Sequence, residues 1–117
     1  MALPNDKKLS VLCRIEPGCL GPDGIKHIES FCLIAQQAMQ YFDADVNMWV
    51  LVPRYDKTLA EIQYSVGSKL LTSEQTAKYM HAFGRDLEGF EERFHDKLTL
   101  MINQYLARNI AKSVSSH

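Results

Sequence analysis

The sequence predicts an α+β domain with the element order β-α-β-β-α-α: a small three-stranded sheet, helices packed mainly on one face of it, and a long C-terminal helix. Three patterns carry that expectation. Residues 8–15 alternate, with Leu9, Val11, Cys13 and Ile15 on one side. Ile25, Ile28, Cys32, Ala35, Met39 and Phe42 recur at intervals of 3 or 4. A second stripe of that spacing runs from Met80 to Tyr105. Alternation is the period of a half-buried strand, and the longer spacing is that of a helix with one apolar face.

The first strand spans about Lys8–Ile15. Ser10, Arg14 and Glu16 take its second side, and Leu12 breaks the alternation. Glu16–Gly24 then holds two prolines and three glycines in nine residues, which is loop composition. Asp23 stands where a helix N-cap is needed. The helix that follows covers Gly24–Phe42. Phe31, Ile34, Ala38 and Tyr41 widen its stripe, so it calls for burial on more than one side. Asp43–Asp45 makes the exit turn.

Val46–Val52 is apolar on both faces, with Val46, Met48, Val50 and Val52 on one and Trp49 and Leu51 on the other. That is the pattern of a central or covered strand. Pro53 stops it, and Arg54–Thr58 is a polar connection of hairpin length. The third strand covers Leu59–Val66, with Ile62, Tyr64 and Val66 facing one way. Thr72 and Gln75 have the spacing of a capping box. The stripe beyond them is Met80, Phe83, Leu87, Phe90, Phe94, Leu98, Met101, Tyr105. One unbroken helix from Ser73 to Lys112 would be about 60 Å long, against a radius of gyration of about 13 Å for a domain of this size. The helix must break or leave the domain. Gly84 and Gly89 are the available break points. Gly84, with Asp86 behind it as a cap, gives a kink and then a helix over Asp86–Ala111.

The chain has 117 residues, a formal net charge of -1, 46% apolar and 23% charged residues. These totals fit one domain over 1–117, with a loose arm over 1–7 and a frayed tail over 113–117. They exclude a disordered chain and a simple basic nucleic-acid binder. No apolar run approaches about 18 residues, so no membrane partner is expected. The 3 cysteines are too few for a secreted disulfide framework. The N-terminus carries no signal-peptide apolar region. The expected compartment is the cytoplasm.

Few residues have chemistry to offer. Cys13, Cys19, His27 and Cys32 are spaced C-x5-C-x7-H-x4-C, without the tight pairs that structural zinc sites use. No metal and no cofactor is expected; Cys13 and Cys32 read as small core residues. Cys19 differs, because it lies in the Gly/Pro loop before a helix N-terminus, where a thiolate is favoured. It is the candidate reactive thiol. Gly18, Gly21 and Gly24 repeat every third residue in the same loop. Glycines there let backbone N–H groups approach a phosphate, though no Lys-Ser/Thr follows and Asp23 would repel an anion. Gly18, Cys19, Gly21, Gly24 and His27 form the candidate binding set. Glu92-x-x-His95 matches half of a di-iron pair but reads as the solvated face opposite Phe90 and Phe94.

Without a complete catalytic set, the sequence reads as a non-enzymatic, homodimeric interaction or ligand-binding module. Trp49, Leu51, Phe90, Phe94, Met101 and Tyr105 are its expected interface, and its expected partner is a second copy. A small thiol-dependent or anion-binding enzyme centred on Cys19 is the alternative.

Overall fold

A computed structural model describes the backbone of residues 3–115 and the side chains up to Asn109. Its elements are β1 (Leu9–Ile15), α1 (Gly24–Met39), β2 (Asn47–Pro53), β3 (Ile62–Val66), β4 (Lys69–Leu71), α2 (Ser73–His81) and α3 (Leu87–Ser115). The α+β class and the long C-terminal helix follow the predicted periodicities. The sheet has four strands rather than three, in the order β2-β1-β3-β4.

β1 is the central strand. It runs parallel to β2, from Leu9↔Asn47 to Ile15↔Pro53, and antiparallel to β3, from Leu9↔Val66 to Cys13↔Ile62. β2 and β3 therefore form no hairpin. Their connection passes the end of β1, where Arg14 donates to the Ala60 carbonyl at 2.7 Å and Arg54 to the Leu59 carbonyl at 2.9 Å. β2, expected to be central or to have its outer face covered, is neither: it lies at the sheet edge with its second face open, and Val50 is 43% exposed. β4 is reached through the two-residue turn Gly67-Ser68, with Gly67 at φ 61, the left-handed value such turns require at their first central position.

Helices cover one side of the sheet only. Leu9, Val11, Cys13 and Ile15 from β1, Trp49 and Leu51 from β2, and Tyr64 from β3 are buried there. Ile28, Phe31, Ala35 and Met39 of α1 and Phe90 and Phe94 of α3 meet them. Trp49 lies at the centre, 5.5 Å from the Phe90 ring and 4.9 Å from that of Phe94. Its indole Nε1 donates to the Phe42 carbonyl at 2.7 Å. The α1–β2 turn is held to α3 by charge. Asp43, at φ 49, faces Arg85 at 3.7 Å and Arg93 at 3.2 Å.

The long stripe breaks where the steric argument placed it. α2 stops at His81, Gly84 takes φ 70, and Asp86 caps α3 by accepting the Gly89 N–H at 3.0 Å. At the start of α2, Thr72 Oγ1 accepts the Gln75 N–H at 3.1 Å, and Gln75 Oε1 accepts the Thr72 N–H at 2.9 Å. Thr72→Ala removes this reciprocal cap and is expected to cost about 1 kcal/mol. A urea midpoint equal to that of the wild type would contradict it.

Of the arm expected to be loose, residues 3–7 are tied down, and residues 1–2 lie outside the described residues. Asn5–Lys7 forms a 3-10 turn, the Leu3 N–H donates to the Asp45 carbonyl at 2.9 Å, and the Tyr79 hydroxyl donates to the Lys7 carbonyl. Of the expected tail, α3 takes in 113–115, and residues 116–117 lie outside the described residues.

Candidate functional site

The chain leaves β1 at Ile15 and turns through a short 3-10 segment, Pro17–Leu20, with the Cys19 N–H donating to the Glu16 carbonyl at 3.1 Å. Leu20 is the one buried residue of that segment. It anchors the turn in the core and leaves Cys19 exposed. α3 supplies the facing wall. Between them lies a cleft of about 250 Å³. Cys13, Ile15, Ile62, Phe94, Leu98 and Ile102 make its apolar lining, while Glu16, Cys19, Glu61, His95 and Thr99 supply polar groups.

Arg54 fixes the side formed by the chain after β2. Its guanidinium lies 2.8 Å from Glu16 and 3.5 Å from Glu61 and donates to the Lys57 and Leu59 carbonyls. An apolar floor with a few polar groups is the composition of a small-ligand site, and the volume falls just under the usual range of about 300–1,000 Å³. Cys19 and His95 share the cleft with no hydrogen bond between them among the described residues. The thiol–imidazole contact that activates a cysteine nucleophile is therefore not formed.

The predicted binding set divides. Cys19 faces this cleft. Gly21 and His27 line a second hollow of about 390 Å³ together with Asp23 and Tyr105. There His27 Nδ1 and the Tyr105 hydroxyl share a hydrogen bond of 3.1 Å. Gly18 and Gly24 line neither. Two of the three loop glycines have structural reasons. Gly21 sits at φ 89, and a Cβ on Gly24 would lie 1.7 Å from the Pro17 carbonyl oxygen. Three amides of the loop and the helix start are already engaged, those of Gly21, Gly24 and Lys26 with the carbonyls of Gly18, Gly21 and Asp23. Asp23 stands at the N-cap position without making a side-chain cap bond. Among the described residues, no group of three or more His, Cys, Asp or Glu is arranged to hold a metal ion.

The interface predicted from sequence is interior. Trp49, Leu51, Phe90, Phe94 and Met101 are buried in the chain's own core, and Tyr105 packs partly buried against it. The error is one of face. The alternation in β2 is real, but α1 and α3 pack on the side carrying Trp49 and Leu51 and leave Val50 outside. Exposed apolar side chains lie elsewhere, chiefly on α1, where Leu33 is 70% and Ile34 45% exposed, and on Tyr41 just beyond it, 79% exposed.

The chain matches no known family model, no curated protein and no solved structure. The site therefore rests on its own chemistry. His95 and Thr99 were hidden in the solvated face of a helix. Their one sequence signal is that His95, Leu98, Thr99 and Ile102 follow each other at i, i+3, i+4 and i+7, a second row beside the aromatic stripe.

Burial separates the three thiols. It pushes Cys13 up to about 12, with Glu61 adding to the shift, and Cys32 up to about 11, with Glu29 adding. Both sit above the ordinary thiol value of 9.0. Folding thus favours their protonated forms. Their contribution is fully present below pH 9 and is lost as pH rises toward 11 and 12, because the unfolded chain releases these protons first. The urea midpoint is expected to be flat with respect to these thiols up to about pH 8.5 and to fall above pH 9. A Cys13→Ala, Cys32→Ala double variant should lose part of that alkaline slope. An unchanged slope would refute the assignment.

Proposed function

We propose that the protein is a non-enzymatic contact module that works as a homodimer in the cytoplasm, joining through the outer side of α1. The observation that supports this reading is the second apolar row of that helix. Ile34, Ala38 and Tyr41 follow at i, i+4 and i+7, Leu33 lies beside them, and all four are exposed. Phe31, Ala35 and Met39 already meet the core, so this row serves no packing need of the single chain. Each large apolar side chain removed from water contributes about 1.5–3 kcal/mol. An antiparallel pairing of two such helices also sets the positive end of each dipole beside the negative end of the other. Weighed against association costs of about 4–15 kcal/mol, three large side chains per copy support a dimer in the micromolar range. A formal net charge of -1 leaves self-repulsion small. Three free thiols suit a reducing compartment. Among the described residues, no helix is long and apolar enough to cross a membrane.

Sedimentation equilibrium tests the reading. The expected mass rises with concentration toward twice 13.3 kDa, and Ile34→Asp abolishes the rise. A wild type that stays monomeric at about 100 μM, well above the micromolar range argued here, defeats it. The cleft beside Cys19 favours one second reading, a small-ligand or thiol-dependent site for an apolar molecule. Thiol labelling across pH, with Cys19→Ser as control, decides that reading: an ordinary thiol titration removes it.

A further inference from the structure

An edge strand exposes a row of backbone groups on which another strand can pair, and folds guard such edges with charge, brevity or cover. The β4 edge is short and begins with Lys69. β2 has neither protection. It is seven residues long, Asn-Met-Trp-Val-Leu-Val-Pro, without a charged side chain. Five of its residues are apolar, and three of them, Trp49, Val50 and Val52, are of the strand-favouring kind that assembles edge to edge.

Its parallel register with β1, with the Leu9 N–H donating to the Val46 carbonyl, turns the peptide groups of residues 47, 49, 51 and 53 outward. Three of these groups are engaged. The Asn47 N–H donates to the Asp43 carbonyl at 2.9 Å, and Pro53 has no N–H. Gln36 takes the middle of the edge. Its Nε2 donates to the Trp49 carbonyl at 2.7 Å, and its Oε1 accepts the Leu51 N–H at 2.8 Å. Bonding the carbonyl before Val50 and the N–H after it is what a single residue of a neighbouring parallel strand would do.

We infer that Gln36 is a strand mimic that holds the β2 edge shut against β2 of a second copy. Two copies related by a two-fold axis normal to the sheet would bring these strands together antiparallel. An uncharged strand facing itself meets no like-charge opposition, so the side-chain amide from α1 is what stands in the way. This edge adjoins the outer side of α1, where Leu33 borders one hollow with Gln36 and Leu51, so each measurement is also made in an Ile34→Asp background, in which pairing through α1 is lost.

Hydrogen exchange by NMR on the full chain, run across a concentration series beside sedimentation, tests the inference. In the wild type, the Leu51 amide is expected to exchange at least about tenfold more slowly than the Trp49 amide, which points outward without a partner. The difference should not change with concentration. In Gln36→Ala at low concentration, Leu51 loses about tenfold or more of that protection. As concentration rises, Trp49 and Leu51 become protected together, and an associated species absent from the wild type appears. Should Gln36→Ala fail to fold, Gln36→Met, of similar length but without the amide, is read in the same way. Equal protection of Trp49 and Leu51 in the wild type overturns the inference. So does a Gln36 variant that keeps Leu51 protected when dilute, or one that associates no more than the wild type.

Discussion

Phe90→Ala is expected to lower the stability of the fold by about 3–5 kcal/mol, the largest effect of any single change considered. Phe90 is 0% exposed and lies against Trp49, with ring centroids 5.5 Å apart. Removing it leaves a cavity where α3 meets β2, and the surrounding side chains can refill it only in part. The chain contains 1 tryptophan, so its fluorescence reports directly on the altered place. Urea unfolding followed by that signal should show the midpoint falling with the slope unchanged. A loss below about 1 kcal/mol, the size of an ordinary substitution, would mean that α3 does not pack as described.

Gly24→Ala comes next, with an expected loss of about 2–3 kcal/mol. The new methyl would sit 1.7 Å from the Pro17 carbonyl oxygen and 2.7 Å from its carbon. Backbone cannot yield as the tip of a flexible side chain can, so the turn from β1 into α1 must open. Gly18→Ala, in open space, should stay within about 0.5 kcal/mol. The comparison separates packing from ligand binding as the reason for the glycines. Equal effects at the two positions would remove the packing explanation and reopen the phosphate one.

Local patterns made most of the elements legible. The Leu9–Ile15 alternation, the α1 stripe, the Thr72–Gln75 box and the Gly84 break each depend on residues a few positions apart, and each forms within about three residues of its predicted place, α1 ending at Met39 rather than Phe42. Strand order depends on which face finds cover, and no short window contains that information. Val50 and Trp49 are equally suited to a core, and only the paths of α1 and α3 decide between them. β4 escaped notice because three residues are too few to show a period, although Gly67-Ser68 is a usable turn signal. The cleft was half legible. Cys19 stood out by its loop, whereas His95 and Glu61 come to it from elements far away in sequence. Gln36 could not be found at all, since a glutamine on a helix carries no mark of the strand it caps.

The central place of β1 bears on how the molecule is made. Leu9 faces Asn47 on one side and Val66 on the other, so β1 leaves the ribosome before both of its neighbours and waits for them. At about 5–20 residues per second, the nascent chain carries an unpaired Leu9–Ile15 for several seconds. Low temperature or slow codons before position 66 would prolong the wait, and a holding chaperone would shorten the danger without altering the finished protein.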